Sequence, residues 1–144
     1  MTLLKTIAVV IVVGYVIAIV ALFVLQKKLI FYPGRLSSDY KFKTGNNAEE
    51  VMLSTEDGER INGLFFANSG ETAILYFHGN AGDLSGWQFV SEDFTALGFN
   101  FMIIDYRGYG KSTGSISEHG FYKDADAAYN YLLEKGFRPE NIII

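Results

Sequence analysis

The chain has 144 residues, 49% of them hydrophobic, a formal net charge of −4 and no cysteine; this length allows one domain at most. The lack of cysteine excludes disulfides, thiolate metal sites and a cysteine nucleophile. Residues 39–144 carry all 16 acidic groups but only 8 of the 12 basic ones, so their net charge is −8. This argues against nucleic acid as a partner, because its binding needs a basic face.

The first predicted element is a membrane-spanning helix. Residues 7–25 contain no charge, and their length is close to the ~20 residues that cross a bilayer as a helix. A cleaved signal peptide is disfavoured because its apolar core is usually ~7–15 residues and no small-x-small site precedes Gln26. A buried core helix is a weaker alternative, because the run is apolar on all sides. We predict an anchor at residues 1–28 that contacts the lipid bilayer through residues 7–25, then a juxtamembrane segment at residues 29–47.

The charges beside the anchor bear on its orientation. Lys5 and the terminal amine lie on one side, and Lys27, Lys28 and Arg35 lie on the other. The positive-inside rule, by a margin of about two charges, favours a cytoplasmic C-terminal domain in a single-pass membrane protein. Protein partners and oligomeric state are not indicated by the sequence.

Three extended segments follow the anchor. Residues 50–54 and 60–67 are extended runs on either side of Asp57-Gly58, which predicts a β-hairpin. Residues 73–77 are a short apolar run that ends near Gly79, which is typical of a buried strand.

A helix is predicted after this strand. Apolar residues recur at i, i+3, i+7 and i+10, namely Trp87, Val90, Phe94 and Leu97. Ser85 with Gln88 resembles a capping box, and Gly98 suits the residue just past the helix end.

The remaining elements are a strand, a helix and a strand. Residues 101–104 predict a second buried strand, and residues 141–144 open another. The helix between them has the apolar stripe Phe121, Ala125, Ala128 and Leu132 and ends before Gly136 and Pro139. Its acidic residues, Asp124, Asp126 and Glu134, are predicted to form its solvated face.

This order of elements predicts an α/β domain at residues 48–144. Hairpin, strand, helix, strand, helix, strand implies a mostly parallel sheet with helices packed on its faces. Ligands in such sheets lie beyond the carboxyl ends of the strands. The loops that follow Phe77, Asp105 and Ile144 are therefore the candidate site.

The first of these loops, residues 78–83, has the sequence His-Gly-Asn-Ala-Gly-Asp and joins a strand to a helix. Glycines allow a sharp turn there, and a backbone N–H at such a turn can stabilise the oxyanion of an acyl-transfer intermediate. An ordinary glycine turn is an equally good interpretation of this motif alone.

The second loop, residues 105–114, has the sequence Asp-Tyr-Arg-Gly-Tyr-Gly-Lys-Ser-Thr-Gly. Together the two loops resemble the α/β-hydrolase superfamily, in which one strand ends in His-Gly and the next in Asp-x-Arg-Gly-x-Gly-x-Ser. The anchor and the Phe-Tyr-Pro stretch at residues 31–33 resemble its membrane-anchored, serine-aminopeptidase-like branch. The resemblance extends from about Leu29 to Ile144.

The resemblance implies the N-terminal part of an α/β-hydrolase fold, without a cofactor, and a role for each matching residue. Asn80 would supply an oxyanion-hole N–H from its backbone. His78 would brace an oxyanion loop that also includes Gly79, Ala81 and Gly82. The second loop would be structural, through Asp105, Arg107, Gly108 and Gly110. The nucleophile serine, the acid and the histidine of the triad are expected after Ile144.

Other residues that could carry chemistry are interpreted as structural. Ser112 matches Gly-x-Ser-x-Gly by letter, but it lies several residues past its strand and no helix follows at once, so we predict a loop serine. His78 precedes the expected nucleophile, whereas the triad histidine comes last in this fold. His119 is predicted to be a solvated residue at a helix end. A zinc site would need both histidines plus carboxylates, and their spacing matches no known motif.

Three hypotheses follow. The first is a membrane-anchored serine hydrolase that acts on a small acyl substrate, an ester, thioester or amide. The second is a non-catalytic, membrane-anchored interaction module on the same fold. The third is that the 144 residues are the entire product of a truncated gene, which we would expect to be inactive and poorly soluble.

Overall fold

The computed structural model describes residues 2–44 and 48–144. Its two units are Met1–Tyr32 and Pro33–Ile144. Met1, the first residue of the predicted anchor, and residues 45–47, the end of the predicted juxtamembrane segment, lie outside the described residues. The predicted domain boundaries therefore stay predictions.

The first unit consists mainly of helix α1 (Thr2–Ile30), which ends just before the short strand β1 (Tyr32–Pro33). None of the residues of α1 is buried, and its most apolar 18-residue window has a mean hydropathy of 3.2. At 1.5 Å per residue the helix is about 44 Å long. By length and composition it can span a membrane, and the uncharged run at residues 7–25 lies inside it.

The second unit contains a five-stranded sheet and flanking helices. The strands of this unit are β2 (Ala48–Ser54), β3 (Arg60–Phe66), β4 (Ala73–Phe77), β5 (Ala81–Gly82), β6 (Asn100–Ile104) and β7 (Ile142–Ile143). All of them except β5 belong to the five-stranded sheet. The helices of this unit are α2 (Leu84–Trp87), α3 (Ser91–Thr95) and α4 (Glu118–Glu134), with 3₁₀ turns at Gln88–Val90 and Pro139–Asn141. The strand order in the sheet is β2-β3-β6-β4-β7.

The sheet is mixed rather than mostly parallel. Strand β3 is antiparallel to both β2 and β6, whereas β4 is parallel to β6 and β7. The prediction of a mostly parallel sheet is wrong for the hairpin half, because the hairpin adds a strand of reversed direction beside β6. In the parallel half, Phe77 pairs with Ile104, so β4 and β6 end together. We use the name site edge for the end of the sheet at which the carboxyl ends of β4 and β6 lie; it is not an outermost strand.

The core lies on both faces of the sheet. On one face, Ala128 and Leu132 of α4 pack in a cluster with Leu75 and Met102. On the other, Leu84 belongs to a cluster with Ile74 and Phe101. Neighbouring residues of one strand point to opposite faces, which is why the apolar runs of β4 and β6 supply both layers.

The first predicted helix is broken into α2, a 3₁₀ turn and α3. Leu97 is 74% exposed and so does not belong to the buried stripe. Ser85 is not the N-cap: the Asp83 side chain accepts the Ser85 N–H at 2.9 Å, because a carboxylate at that position reaches the first-turn donors. Gly98 has a φ of +90° and ends the segment, as predicted.

The second predicted helix is α4, but its buried stripe is shifted. The fully buried residues recur every four positions, namely Gly120, Asp124, Ala128 and Leu132. Asp126 and Glu134 are exposed as predicted. The assignment of Asp124 to the solvated face is wrong, since it is 0% exposed.

Candidate functional site

The two predicted loops lie side by side at the site edge. The Tyr106 hydroxyl donates a hydrogen bond to the His78 carbonyl oxygen at 2.8 Å. The Tyr109 hydroxyl donates to the Asn80 carbonyl oxygen at 2.9 Å. The structure thus brings together residues that are 28 and 29 positions apart in the sequence.

His78 is enclosed between the two loops. Its side chain is 0% exposed, and its Nε2 atom lies 3.3 Å from Oδ1 of Asp105. Its Nδ1 atom lies 2.6 Å from the Gly79 carbonyl oxygen, and its ring stacks on Trp87 at 5.8 Å. Since Gly79 O can only accept, Nδ1 is the donor in this contact, and Nε2 faces the Asp105 carboxyl group. Both ring nitrogens are occupied, so His78 is not available to a substrate.

Asp105 connects the second loop to the first. It is 0% exposed, and its Oδ1 atom accepts the Leu84 N–H at 3.0 Å in addition to facing His78. Burial raises the pKa of Asp105 above its usual value, which the hydrogen bond with His78 opposes. Gly110 lies against the same carboxylate, where a Cβ atom would be 2.7 Å from Asp105 Cγ. Only glycine fits there, and its φ of +45° suits glycine as well.

Asn80 lies in a bend between β4 and β5, outside every helix and strand, and is exposed. The loop around it is shaped by its glycines: a Cβ atom at Gly79 would be 3.2 Å from the Trp87 ring, and Gly82 has a φ of +83°. The Trp87 Nε1 atom donates to the Ala81 carbonyl oxygen at 2.8 Å. The Trp87 side chain therefore supports the backbone of this loop, and Asn80 lies at the surface of the site edge.

Arg107 fastens the second loop to helix α4 and to the hairpin turn. Its backbone N–H and its Nε atom donate to the two carboxylate oxygens of Asp124 at 2.8 and 2.9 Å. Its Nη1 and Nη2 atoms donate to Asp57 at 2.9 and 3.2 Å. The hydrogen bond from Arg107 is the largest cause that holds the pKa of Asp57 well below its usual value. Arg107 thus bridges three separate segments of the domain.

Gly120 makes room for this ion pair. A Cβ atom at Gly120 would overlap the Cδ atom of Arg107 and lie 2.5 Å from its Nε atom. Gly120 and Asp124 are one helical turn apart, so both face the Arg107 side chain. The motif analysis did not identify Gly120, Asp124 or Asp57. The four-residue repeat of Gly120, Asp124, Ala128 and Leu132 is the signal that could have found the first two.

Ser112 is a buried loop serine, as predicted. It is 1% exposed, its Oγ atom donates to the Asp105 carbonyl oxygen at 2.6 Å, and it accepts the Asn62 N–H at 2.9 Å. This side chain joins the second loop to β3 and is closed to substrate. His119, the second residue of α4, is exposed as predicted.

The last described strand points toward the same edge. Ala73 pairs with Ile142 and Ile74 with Ile143 in a parallel register. Within residues 2–44 and 48–144 the structure groups no three His, Asp or Glu side chains in a way that could hold a metal ion.

Several known proteins are similar to this chain. Residues 72–144 match the family model described as alpha/beta hydrolase fold. The chain is 40% identical over 91 residues to protein bem46 of Schizosaccharomyces pombe. The aligned region covers 60% of this chain and 30% of that protein. The chain is 36% identical over 117 residues to alpha/beta hydrolase domain-containing protein 17B of Xenopus laevis, which covers 76% and 40%.

A solved structure shares the fold. The crystal structure of an alpha-beta hydrolase from Vibrio vulnificus superposes with a TM-score of 0.60 at 29% identity, over 67% of this chain and 34% of that chain. The chain therefore spans between 30% and 40% of the length of these relatives.

Proposed function

This chain belongs to the alpha/beta hydrolase fold family, and from that premise we propose that it is the N-terminal part of a membrane-anchored serine hydrolase. Its reaction is the cleavage of an ester, thioester or amide by acyl transfer. The observation that carries the proposal is the adjacency of the His78 and Asp105 loops at the carboxyl ends of β4 and β6. In open α/β sheets ligands bind beyond such strand ends.

Asn80 has the central role in this proposal among the described residues. Its backbone N–H stabilises the negative oxygen that forms when a nucleophile attacks the substrate carbonyl. The position of Asn80 in an exposed bend at the site edge supports this role. His78, Asp105 and Arg107 support the loops and do not touch the substrate. We also propose that the protein belongs to the serine-aminopeptidase-like branch of the superfamily.

The remaining groups belong, in this proposal, to residues after Ile144. The serine sits on the sharp turn between the strand that β7 begins and the next helix, and its own neighbour supplies the second oxyanion donor. The parallel register of β7 with β4 supports this placement, because it aims the chain at the site edge. An acid and a histidine follow in chain order.

The oxyanion role is tested by Asn80→Pro in the whole protein that contains this chain. Proline removes the backbone N–H, and the loss of one such donor lowers kcat by about 10²–10³-fold. The matched control is Asn80→Ala, which keeps the N–H and should retain wild-type turnover of a soluble ester. Wild-type turnover in a folded Asn80→Pro variant would remove Asn80 from the mechanism.

The nucleophile is tested by labelling the whole protein with a serine-reactive fluorophosphonate and mapping the labelled peptide. We expect the label after Ile144 and none at the buried Ser112. A protein that takes no label, with another residue in place of the serine, would instead fit a non-catalytic interaction module.

A further inference from the structure

The segment that follows β1 is bonded to both site loops. The Gly34 N–H donates to the Gly82 carbonyl oxygen at 2.7 Å, and the Gly34 carbonyl oxygen accepts the Gly110 N–H at 2.8 Å. The Leu36 N–H then donates to the Gly110 carbonyl oxygen at 3.1 Å. We call residues 34–36 the edge strap. It joins the first loop to the second by main-chain hydrogen bonds alone.

The edge strap fits closely against the loops. A Cβ atom at Gly34 would overlap the Asp83 carboxylate and lie 3.1 Å from the Gly82 carbonyl carbon. The Arg35 Nη1 atom donates to the Ser112 carbonyl oxygen at 3.1 Å. The strap is thus fixed to the site edge at several points.

Chain length limits how far the site edge can be from the end of the anchor. Only three residues separate Ile30, the last residue of α1, from Gly34. The four Cα–Cα steps from Ile30 to Gly34, at about 3.5 Å each, span at most about 14 Å in any orientation of the domain. A domain of this size is about 30 Å or more across. The covalent chain therefore limits the separation of Gly34 from Ile30 to less than half the width of such a domain.

The charge of the chain changes sign after the strap. Three basic residues and no acidic one lie between the apolar run and Asp39, whereas residues 39–144 have a net charge of −8. Lys27 and Lys28 lie in the last turn of α1, and Arg35 lies in the edge strap. Basic groups are attracted to anionic headgroups and acidic surfaces are repelled by them. The segment that leads into the strap therefore has the charge that an anionic bilayer surface attracts.

We propose that the edge strap holds the site edge at the bilayer surface, so that the enzyme acts on acyl substrates whose acyl chain is dissolved in the bilayer. This inference rests on the proposed hydrolase function. The serine Oγ atom bonds to the acyl carbon as the bond to the leaving group breaks, and the leaving group takes the serine proton. Water then releases the fatty acid and restores the serine.

The experiment lengthens the tether in the whole protein, reconstituted in phosphatidylcholine vesicles. Twelve Gly and Ser residues are inserted between Phe31 and Tyr32, and the same twelve residues ahead of Thr2 serve as the matched control. Two substrates are compared: a short-chain p-nitrophenyl ester in water and a fluorogenic long-chain acyl ester dissolved in the vesicles.

Lengthening the tether from three residues to fifteen lowers the effective concentration of the site at the surface by about ten-fold, since it falls as the −3/2 power of tether length. We expect the rate on the vesicle-bound ester to fall by that factor in the insertion variant only, and the rate on the soluble ester to stay unchanged. Unchanged rates on both esters would overturn the inference and leave the hydrolase function standing. If the wild-type protein cleaves neither ester, the proposed function itself fails.

Discussion

Arg107 is held on two sides by carboxylates, and this decides what its neighbours can be. Asp124 and Asp57 fix both ends of the guanidinium, so the side chain cannot move aside for a larger residue at Gly120. Gly120, which packs against the Arg107 side chain, therefore cannot be replaced by a larger residue without strain.

Gly120→Ala is predicted to destabilise the protein by about 1–3 kcal/mol, because the added methyl group overlaps an immobile Arg107 side chain. Helix propensity alone would favour alanine by about 1 kcal/mol, so the sign of the effect is informative. Gly86→Ala is the control, since a Cβ atom there meets nothing within 4 Å. Urea unfolding followed by fluorescence of Trp87, the single tryptophan, measures both. A gain in stability for Gly120→Ala would contradict the packing.

Asp57 predicts a pH dependence of stability. Hydrogen bonds, first from Arg107 and then from Thr55, lower its pKa in the folded state, whereas an unfolded aspartate titrates near about 3.9. Its contribution is therefore complete above about pH 4 and is lost as the pH falls through the lowered folded-state pKa. We expect the gap in urea midpoint between wild type and Asp57→Asn to narrow as the pH falls below about 4. A gap that does not change with pH would contradict this.

At the scale of elements, helix α4 is attached to the second loop through a polar contact in the middle of its apolar stripe. Asp124 lies between Gly120 and Ala128 on the face that packs on the sheet. The helix therefore carries both the core contacts and the support of the loop that follows β6. Loss of that support affects the site edge as well as stability.

Asp124→Ala is predicted to destabilise the protein by about 3–5 kcal/mol, because it leaves the Arg107 charge with one of its two partners in a buried setting. Asp126→Ala, on the exposed face of the same helix, should change stability by less than about 0.5 kcal/mol. Chemical denaturation distinguishes the two variants. Equal effects would show that Asp124 is solvated and that the contact with Arg107 is not formed.

At the scale of the whole molecule, we propose that the anchor places the domain on the cytoplasmic side of the membrane. The basic residues after the apolar run favour the cytoplasm. Residues 1–144 contain no cysteine, so a thiol introduced there can be identified by mapping the labelled peptide.

Asp126→Cys, at an exposed position, is predicted to react with a membrane-impermeant maleimide only after the cells are permeabilised. A cysteine placed ahead of Thr2 should show the opposite behaviour. Labelling of Asp126→Cys in intact cells would place the domain outside and contradict the charge rule.

The sequence by itself determined the features that depend on neighbouring residues. The uncharged run at residues 7–25, the hairpin turn at Asp57-Gly58 and the strand at residues 73–77 each follow from composition or from a short period. The order of the two loops along the chain was also sufficient for the family resemblance. These signals are local, because helix and strand periods repeat within a few residues.

Only the tertiary structure decided which of these segments meet. The bond from Arg107 to Asp57 joins residues 50 positions apart, and the Arg35 bond to Ser112 joins residues 77 apart. Strand β6 lies between β3, to which it is antiparallel, and β4, to which it is parallel, and the sheet is therefore mixed. The sequence predicts a solvated Asp124, because a charged residue on a helix is usually solvated. Its burial is favourable only because Arg107, from another element, donates hydrogen bonds to its carboxylate. The four-residue repeat could have placed Asp124 on the buried face of the helix, but it does not indicate that Arg107 is the partner.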